Sequence, residues 1–163
     1  EFDTNIKISK ILEISLDREK NIIKDDYFFA NAIPLVGKDE ATKALNRMKI
    51  NFYPATGNYA EYEKAALEYY KNPDETDTNE LLKAAWLFSE YIKTPSSLKK
   101  AQEWAEKIVM KSETPESTYI LAKLYKATGN KEGAKSYAEI SKRLAEQSGA
   151  DSGMATQLLQ EIQ

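Results

Sequence analysis

The chain has no cysteine and no histidine among its 163 residues. Thiol nucleophiles, imidazole bases and the common zinc ligand sets are therefore excluded, and any acid–base chemistry would fall to Asp and Glu alone. Long apolar runs are missing too. The longest apolar stretch, around Tyr27 to Val36, is interrupted by Asn31 and Pro34, well short of the ~20 residues that a membrane span needs. Positive charge is not in excess: Lys and Arg number 23 against 26 Asp and Glu, a net charge of −3. Lysines alternate with glutamates, as in Glu103, Glu106 and Lys107, which describes a solvated surface, so nucleic acid is not expected as a partner. No asparagine stands in a glycosylation sequon. Glu1-Phe2 opens the chain with neither an initiator methionine nor a signal peptide. An excised or processed piece of something longer is expected, with a cloning scar at those two residues as the alternative.

What remains is 42% hydrophobic and 30% charged, the usage of one ordinary globular domain. Residues 4 to 16 predict a first amphipathic helix through Ile6, Ile11, Leu12 and Leu16. Asp17 is expected to cap a second, running as far as Ala32, before Pro34 and Gly37 mark a turn. Asp39 opens a third that ends before Pro54, and Asn58 with Glu61 caps a fourth carrying Tyr62, Ala65, Ala66, Tyr69 and Tyr70. The polar run from Asn72 to Asn79 reads as a surface loop whose Asp77 and Glu80 cap a fifth helix, Leu81 to Ile92. Further helices are expected over 96–111, 115–128 and 131–146, with a short terminal one after Ser152.

The helices from 79 onward repeat. Leu87 and Tyr91 precede Leu121 and Tyr125 by 34 residues, and Ala101, Trp104 and Ala105 precede Ala134, Tyr137 and Ala138 by 33. Thr114-Pro115 starts a helix with a capping hydroxyl and a fixed φ; Gly129 ends it and Asn130 caps the next. A third echo is Tyr53-Pro-Ala-Thr-Gly57-Asn58 against Tyr125-Lys-Ala-Thr-Gly129-Asn130, though Tyr62 stands where the small alanine belongs. A period near 34 with bulky and tiny residues at fixed offsets predicts stacked two-helix units.

On these residues, Leu121-Ala122, Tyr125, Gly129 and Ala134 above all, the chain resembles the tetratricopeptide repeat (TPR) family. The match covers 115–148 well, 79–112 moderately and 40–72 weakly. The resemblance implies an all-α fold: a right-handed α-α superhelix of TPR-like hairpins with a terminal capping helix. As one domain over 1–163, it would comprise degenerate N-terminal helices to about 72, an acidic loop at 73–78, and two clearer repeats plus cap from 79. It also implies peptide recognition on outward residues of each first helix, here Tyr119, Lys123 and Lys126 in the last unit and Ala85, Ser89 and Ile92 in the one before. The lysine and asparagine set with which some relatives grip a C-terminal carboxylate is not reproduced.

A second resemblance spans roughly 12 to 147. The runs Asn79 to Tyr91, Leu98 to Lys107 and Thr118 to Ala134 are similar to the helical C-terminal region of thioredoxin-family proteins from Bacteroidetes-type bacteria. It implies an extracytoplasmic, periplasmic protein whose thiol-disulfide domain, with its Cys-x-x-Cys pair, lies outside this chain. The partners implied are a protein or peptide, that thioredoxin-like domain itself, or a second copy in a homodimer. The alternative is a stand-alone repeat domain for a peptide, small ligand or glycan.

No catalytic residue, cofactor or metal site is expected. The acidic loop of Asp74, Glu75, Asp77, Asn79 and Glu80 lacks the glycine and the spaced final glutamate of a calcium loop. Ser96-Ser97 near Lys99 and Lys100 reads as a helix start. Tyr53, Tyr59, Tyr62, Tyr69 and Tyr70 read as core tyrosines with hydroxyls at the rim.

Overall fold

Two six-residue stretches, Tyr53 to Asn58 and Tyr125 to Asn130, fold into the same joint. The structure is a computed structural model that describes residues 1–163. At the first joint Gly57 N–H donates to the Pro54 carbonyl at 3.2 Å and Asn58 N–H to the Tyr53 carbonyl at 3.0 Å. At the second, Gly129 donates to Lys126 at 3.2 Å and Asn130 to Tyr125 at 2.8 Å. This pair of bonds satisfies carbonyls left over at a helix end, and it needs a left-handed residue, which glycine supplies at φ +76° and +88°. The asparagine then starts the next helix at once. Asn58 Oδ1 accepts from Glu61 N–H at 3.2 Å, and Asn130 Oδ1 from Gly133 N–H at 2.9 Å.

The fold is all-α, with nine helices and a single pair of two-residue strands. It divides into two compact units, Glu1–Lys71 and Asn72–Gln163, the boundary falling in the polar run. The first unit contains α1 (Phe2–Ser15), β1 (Leu16–Asp17), β2 (Ile22–Ile23), α2 (Asp25–Val36), α3 (Lys38–Thr56) and α4 (Tyr59–Tyr69). Asp17 does not cap a helix, contrary to expectation. Its Oδ1 accepts from Glu19 and Lys20 N–H at 3.1 and 3.0 Å, closing a turn that Asn21 completes at φ +54°. Leu16 then pairs with Ile23 and Asp17 with Ile22, a choice that suits β-branched isoleucines. Pro34 and Pro54 also sit inside helices, near the ends of α2 and α3, where only one turn remains to be disturbed. Phe28, Leu45, Tyr53, Tyr62 and Tyr70 fill the core of this unit, and Lys49 Nζ meets Asp25 Oδ2 at 2.5 Å between α3 and α2.

The second unit opens with a 3₁₀ turn, Pro73–Glu75, followed by α5 (Thr78–Tyr91), α6 (Pro95–Lys111), α7 (Pro115–Ala127), α8 (Lys131–Ser148) and α9 (Gly153–Ile162). Asp77 Oδ2 accepts from Glu80 N–H at 3.0 Å to cap α5. Thr114 and Ser117 cap α7 reciprocally: each hydroxyl accepts the other's backbone N–H at 3.0 Å. Consecutive helices pack as neighbours, and α5 also touches α7, as α7 touches α9. The repeated positions match in burial. Leu87 and Leu121 are both in the core, and Ala101, Ala105, Ala134 and Ala138 expose no surface at all. Ala122, Ala134 and Ala138 form one cluster with Leu158 and Ile162, so α9 covers the α7–α8 pair with its own apolar side.

If the two glycine joints are equivalent, Gly57→Ala and Gly129→Ala should each cost about 1–2 kcal/mol in urea unfolding of the whole chain. The cost is purely conformational, since nothing lies within 4 Å of an added Cβ at either position. Ala138→Leu must find room where the alanine has none and should lose ~1–3 kcal/mol. Ala127→Leu, on the exposed side of α7, should stay within ~0.5 kcal/mol of the parent.

Candidate functional site

On α5 an exposed stripe runs through Asn79, Lys83, Trp86 and Glu90, with the Tyr91 ring edge-on to the indole at 6.5 Å. A tryptophan among charged residues is out of place for a solvated face, yet 37% of Trp86 is in solvent. Its indole forms one wall of a cleft of about 320 Å³. Pro115, Glu116, Tyr119 and Ile120 from the start of α7 form the second wall. Asp151, Met154 and Ala155 from the entry of α9 form the third, with Met154 60% exposed. The floor is Ser141 and Ala145 of α8, whose small side chains leave the space open. Ser141 Oγ donates to the Pro115 carbonyl at 2.7 Å and fixes α8 against the first turn of α7. Asp151 Oδ1 accepts from Gly153 N–H at 2.8 Å and so starts α9. The cleft is an apolar slot whose lining includes two exposed carboxylates, Glu116 and Asp151.

Of the six residues expected to line a groove, Tyr119 lies in this wall. Burial raises its phenol above the ordinary tyrosine value, and the Lys123 ammonium stands 5.8 Å from its ring centre. Lys123 is ion-paired with Glu90 of α5, and Lys126 Nζ meets Glu161 Oε2 of α9 at 3.1 Å. Burial lowers the Lys123 pKa, against the pull of Glu161. The Lys126 hydrogen bond holds the Glu161 carboxyl below the usual carboxylate range. Ala85 and Ile92 must be corrected, because both are buried and offer a partner nothing. Ser89 Oγ donates to the Trp86 carbonyl at 2.7 Å, on the same helix. Trp86, Glu116, Asp151 and Met154 escaped the sequence reading. A signal existed for Trp86, a large apolar residue placed between Lys83 and Glu90 on an exposed stripe.

A second cleft, of about 450 Å³, lies over α6, α7 and α8 between Glu106, Met110, Tyr125 and Tyr137. Glu106 Oε1 accepts from Gln102 Nε2 at 2.7 Å and from the Tyr125 hydroxyl at 3.1 Å. Thr128 Oγ1 donates to Gln102 Oε1 at 2.7 Å, which completes a polar chain from α7 to α6 and back. The Tyr125 and Tyr137 rings are 5.7 Å apart. In the acidic loop, Asp74 pairs with Lys107 at 3.1 Å while Asp77 caps α5. No three carboxylates gather where they could hold a metal ion. Ser97 is buried, and Lys100 pairs with Glu103.

Burial first, and the Glu106 carboxylate second, push the Tyr125 phenol up from 10.0 to about 12. The folded state therefore holds this proton more tightly than the unfolded chain. The associated stability is fully present below pH 10 and is lost as the pH rises through about 12. In an absorbance titration at alkaline pH, the difference between the parent and Tyr125→Phe should show a midpoint near 12. Glu106→Gln should bring it down only part of the way, because burial remains the larger cause; a midpoint at 10.0 in the parent would contradict the burial of this phenol beside Glu106. No protein-family model, curated protein or solved structure matches this chain.

Proposed function

We propose that the chain is a non-catalytic helical-repeat interaction module, a right-handed array of TPR-like hairpins closed by α9. In this reading it follows a thioredoxin-like thiol-disulfide domain in an extracytoplasmic bacterial protein. The observation that carries the reading is the cleft of Trp86, Tyr119 and Met154. An exposed tryptophan and methionine over an apolar slot are the side chains from which protein interfaces draw their binding energy. The repeated glycine–asparagine joints and the buried alanine pairs support the hairpin array. The attachment rests on the family resemblance, and α1 leaves room for it: it buries only Ser15 while exposing Phe2, Ile6 and Ile14. A stand-alone binding domain for a small ligand or glycan is the second reading. It is favoured by the cleft over Tyr125 and Tyr137, where one carboxylate oxygen of Glu106 is held by two donors.

The parent reading frame tests the attachment: a Cys-x-x-Cys between a strand and a helix upstream supports it, and an unrelated domain there removes it. For the cleft, a photo-crosslinking residue is placed at Trp86 of the parent protein in its own cells, with exposed Lys135 as the control. Position 86 should give one adduct, with a segment that mass spectrometry maps to a single sequence, and position 135 should not. Equal adducts from both positions would sink the interaction reading.

A further inference from the structure

Within the interaction reading, on which this step rests, the cleft also specifies the chemistry of its occupant. We infer that it takes a peptide segment in which a bulky apolar side chain stands next to lysine or arginine. The volume of about 320 Å³ lies at the low end of ligand pockets, which suits one or two side chains and not a cofactor. Trp86 and Tyr119 supply rigid aromatic walls, and the unbranched Met154 can adapt to whichever apolar group enters.

Charge then selects what flanks that group. The mouth carries Glu116 and Asp151, and no lysine or arginine lines it. Lys123 and Lys126, the cations nearby on α7, are taken up by Glu90 and Glu161. The opposing field comes from the helix N-termini, since Glu116 lies in the first turn of α7 and Asp151 just before α9. Each N-terminus is worth roughly +0.5 of a charge. Two carboxylates against two half charges leave the mouth negative by about one unit. A guanidinium or ammonium is therefore favoured there, and a carboxylate is repelled. The indole face of Trp86 adds a surface on which a cation can stack.

The test uses the whole chain and three blocked hexapeptides with the central pairs Leu-Arg, Leu-Glu and Ala-Arg. The readout is the indole N–H resonance of Trp86; buried Trp104 is the internal control. The Leu-Arg peptide should shift the Trp86 signal saturably and bind about five- to tenfold tighter than Leu-Glu, with the gap narrowing as salt rises. Ala-Arg, lacking the anchor, should bind more weakly than Leu-Arg. Glu116→Gln with Asp151→Asn should close the gap between the two leucine peptides, and the asparagine keeps an oxygen to accept from Gly153 N–H. If the leucine peptides bind alike in the parent, or the double variant still tells them apart, the charge preference falls and the apolar cleft stands. If neither leucine peptide moves the Trp86 signal at millimolar concentration, the cleft falls as a binding site and this inference with it.

Discussion

The close approach of α7 and α8 is the constraint on which the second unit rests. Along α8 the residues facing its neighbours are Ala134, Ala138, Ser141 and Ala145, spaced four, three and four, and all are buried. A stripe that thin lets two backbones come together only if the chain reverses in very few residues, and Gly129 with Asn130 provides that reversal. The gap between the helices then belongs to α7, which fills it with Leu121, Ala122 and Leu124. The same stripe makes the cleft. Where it continues to Ser141 and Ala145, between Tyr119 and Ile120 of α7 and Met154 of α9, the small residues become a floor.

Charges are distributed around that packing unevenly. On one side of α7, Lys123 reaches α5 through Glu90 and Lys126 reaches α9 through Glu161, so α7 is tied to both helices it touches across the layer. Partly exposed pairs of this kind contribute ~0.2–1 kcal/mol each, too little to hold the layer against a bad core but enough to set its register. The polar chain from Thr128 through Gln102 and Glu106 to Tyr125 does the same between α6 and α7. No buried side-chain polar atom in the protein lacks a hydrogen-bond partner, so these contacts come without the desolvation penalty of an orphaned group. Glu116 and Asp151, at the other end of α7 and the start of α9, have no cation to meet. The two lysines of α7, Lys123 and Lys126, are engaged at its other end.

How far the residues announced this depends on how local the determining interaction is. The ends of α6, α7 and α8 lie within two residues of where caps, glycine and periodicity put them, because each end is set by a side chain a few positions away. The hairpin at Leu16 to Ile23 was not legible. An aspartate before an amphipathic run looks the same whether it caps a helix or closes a turn, and the choice was made by the pairing of Ile22 and Ile23 with residues across the turn. Pro34 and Pro54 misled in the other direction, since a proline in the last turns of a helix forfeits little and the apolar face behind it still has to be buried. Ala85 and Ile92 are buried for a different reason. Ala85, Ser89 and Ile92 follow the helical period faithfully, but the set is turned by about one residue from the exposed stripe of Lys83, Trp86 and Glu90. Which stripe faces outward is decided by neighbouring helices and not by the period itself.

The first unit shows what happens when the joint is kept and the filling is changed. Tyr53 to Asn58 closes with the same two backbone bonds and the same asparagine cap as Tyr125 to Asn130, so chain reversal is preserved. Position 62, however, holds a buried tyrosine where position 134 holds an alanine, while Ala66 matches Ala138 as a residue with no exposed surface. A ring in place of a methyl at one end of a helix pair, with contact kept at the other, requires side chains of different size around it. Tyr53 and Tyr70 are buried in the same unit, and burial raises the Tyr53 phenol above its ordinary value. The joint therefore sets the direction of the second helix, and residue size sets the distance at which it runs. That separation explains why the echo between the two stretches is strong over six residues and fades beyond them: six residues suffice for a reversal, and everything after it is packing.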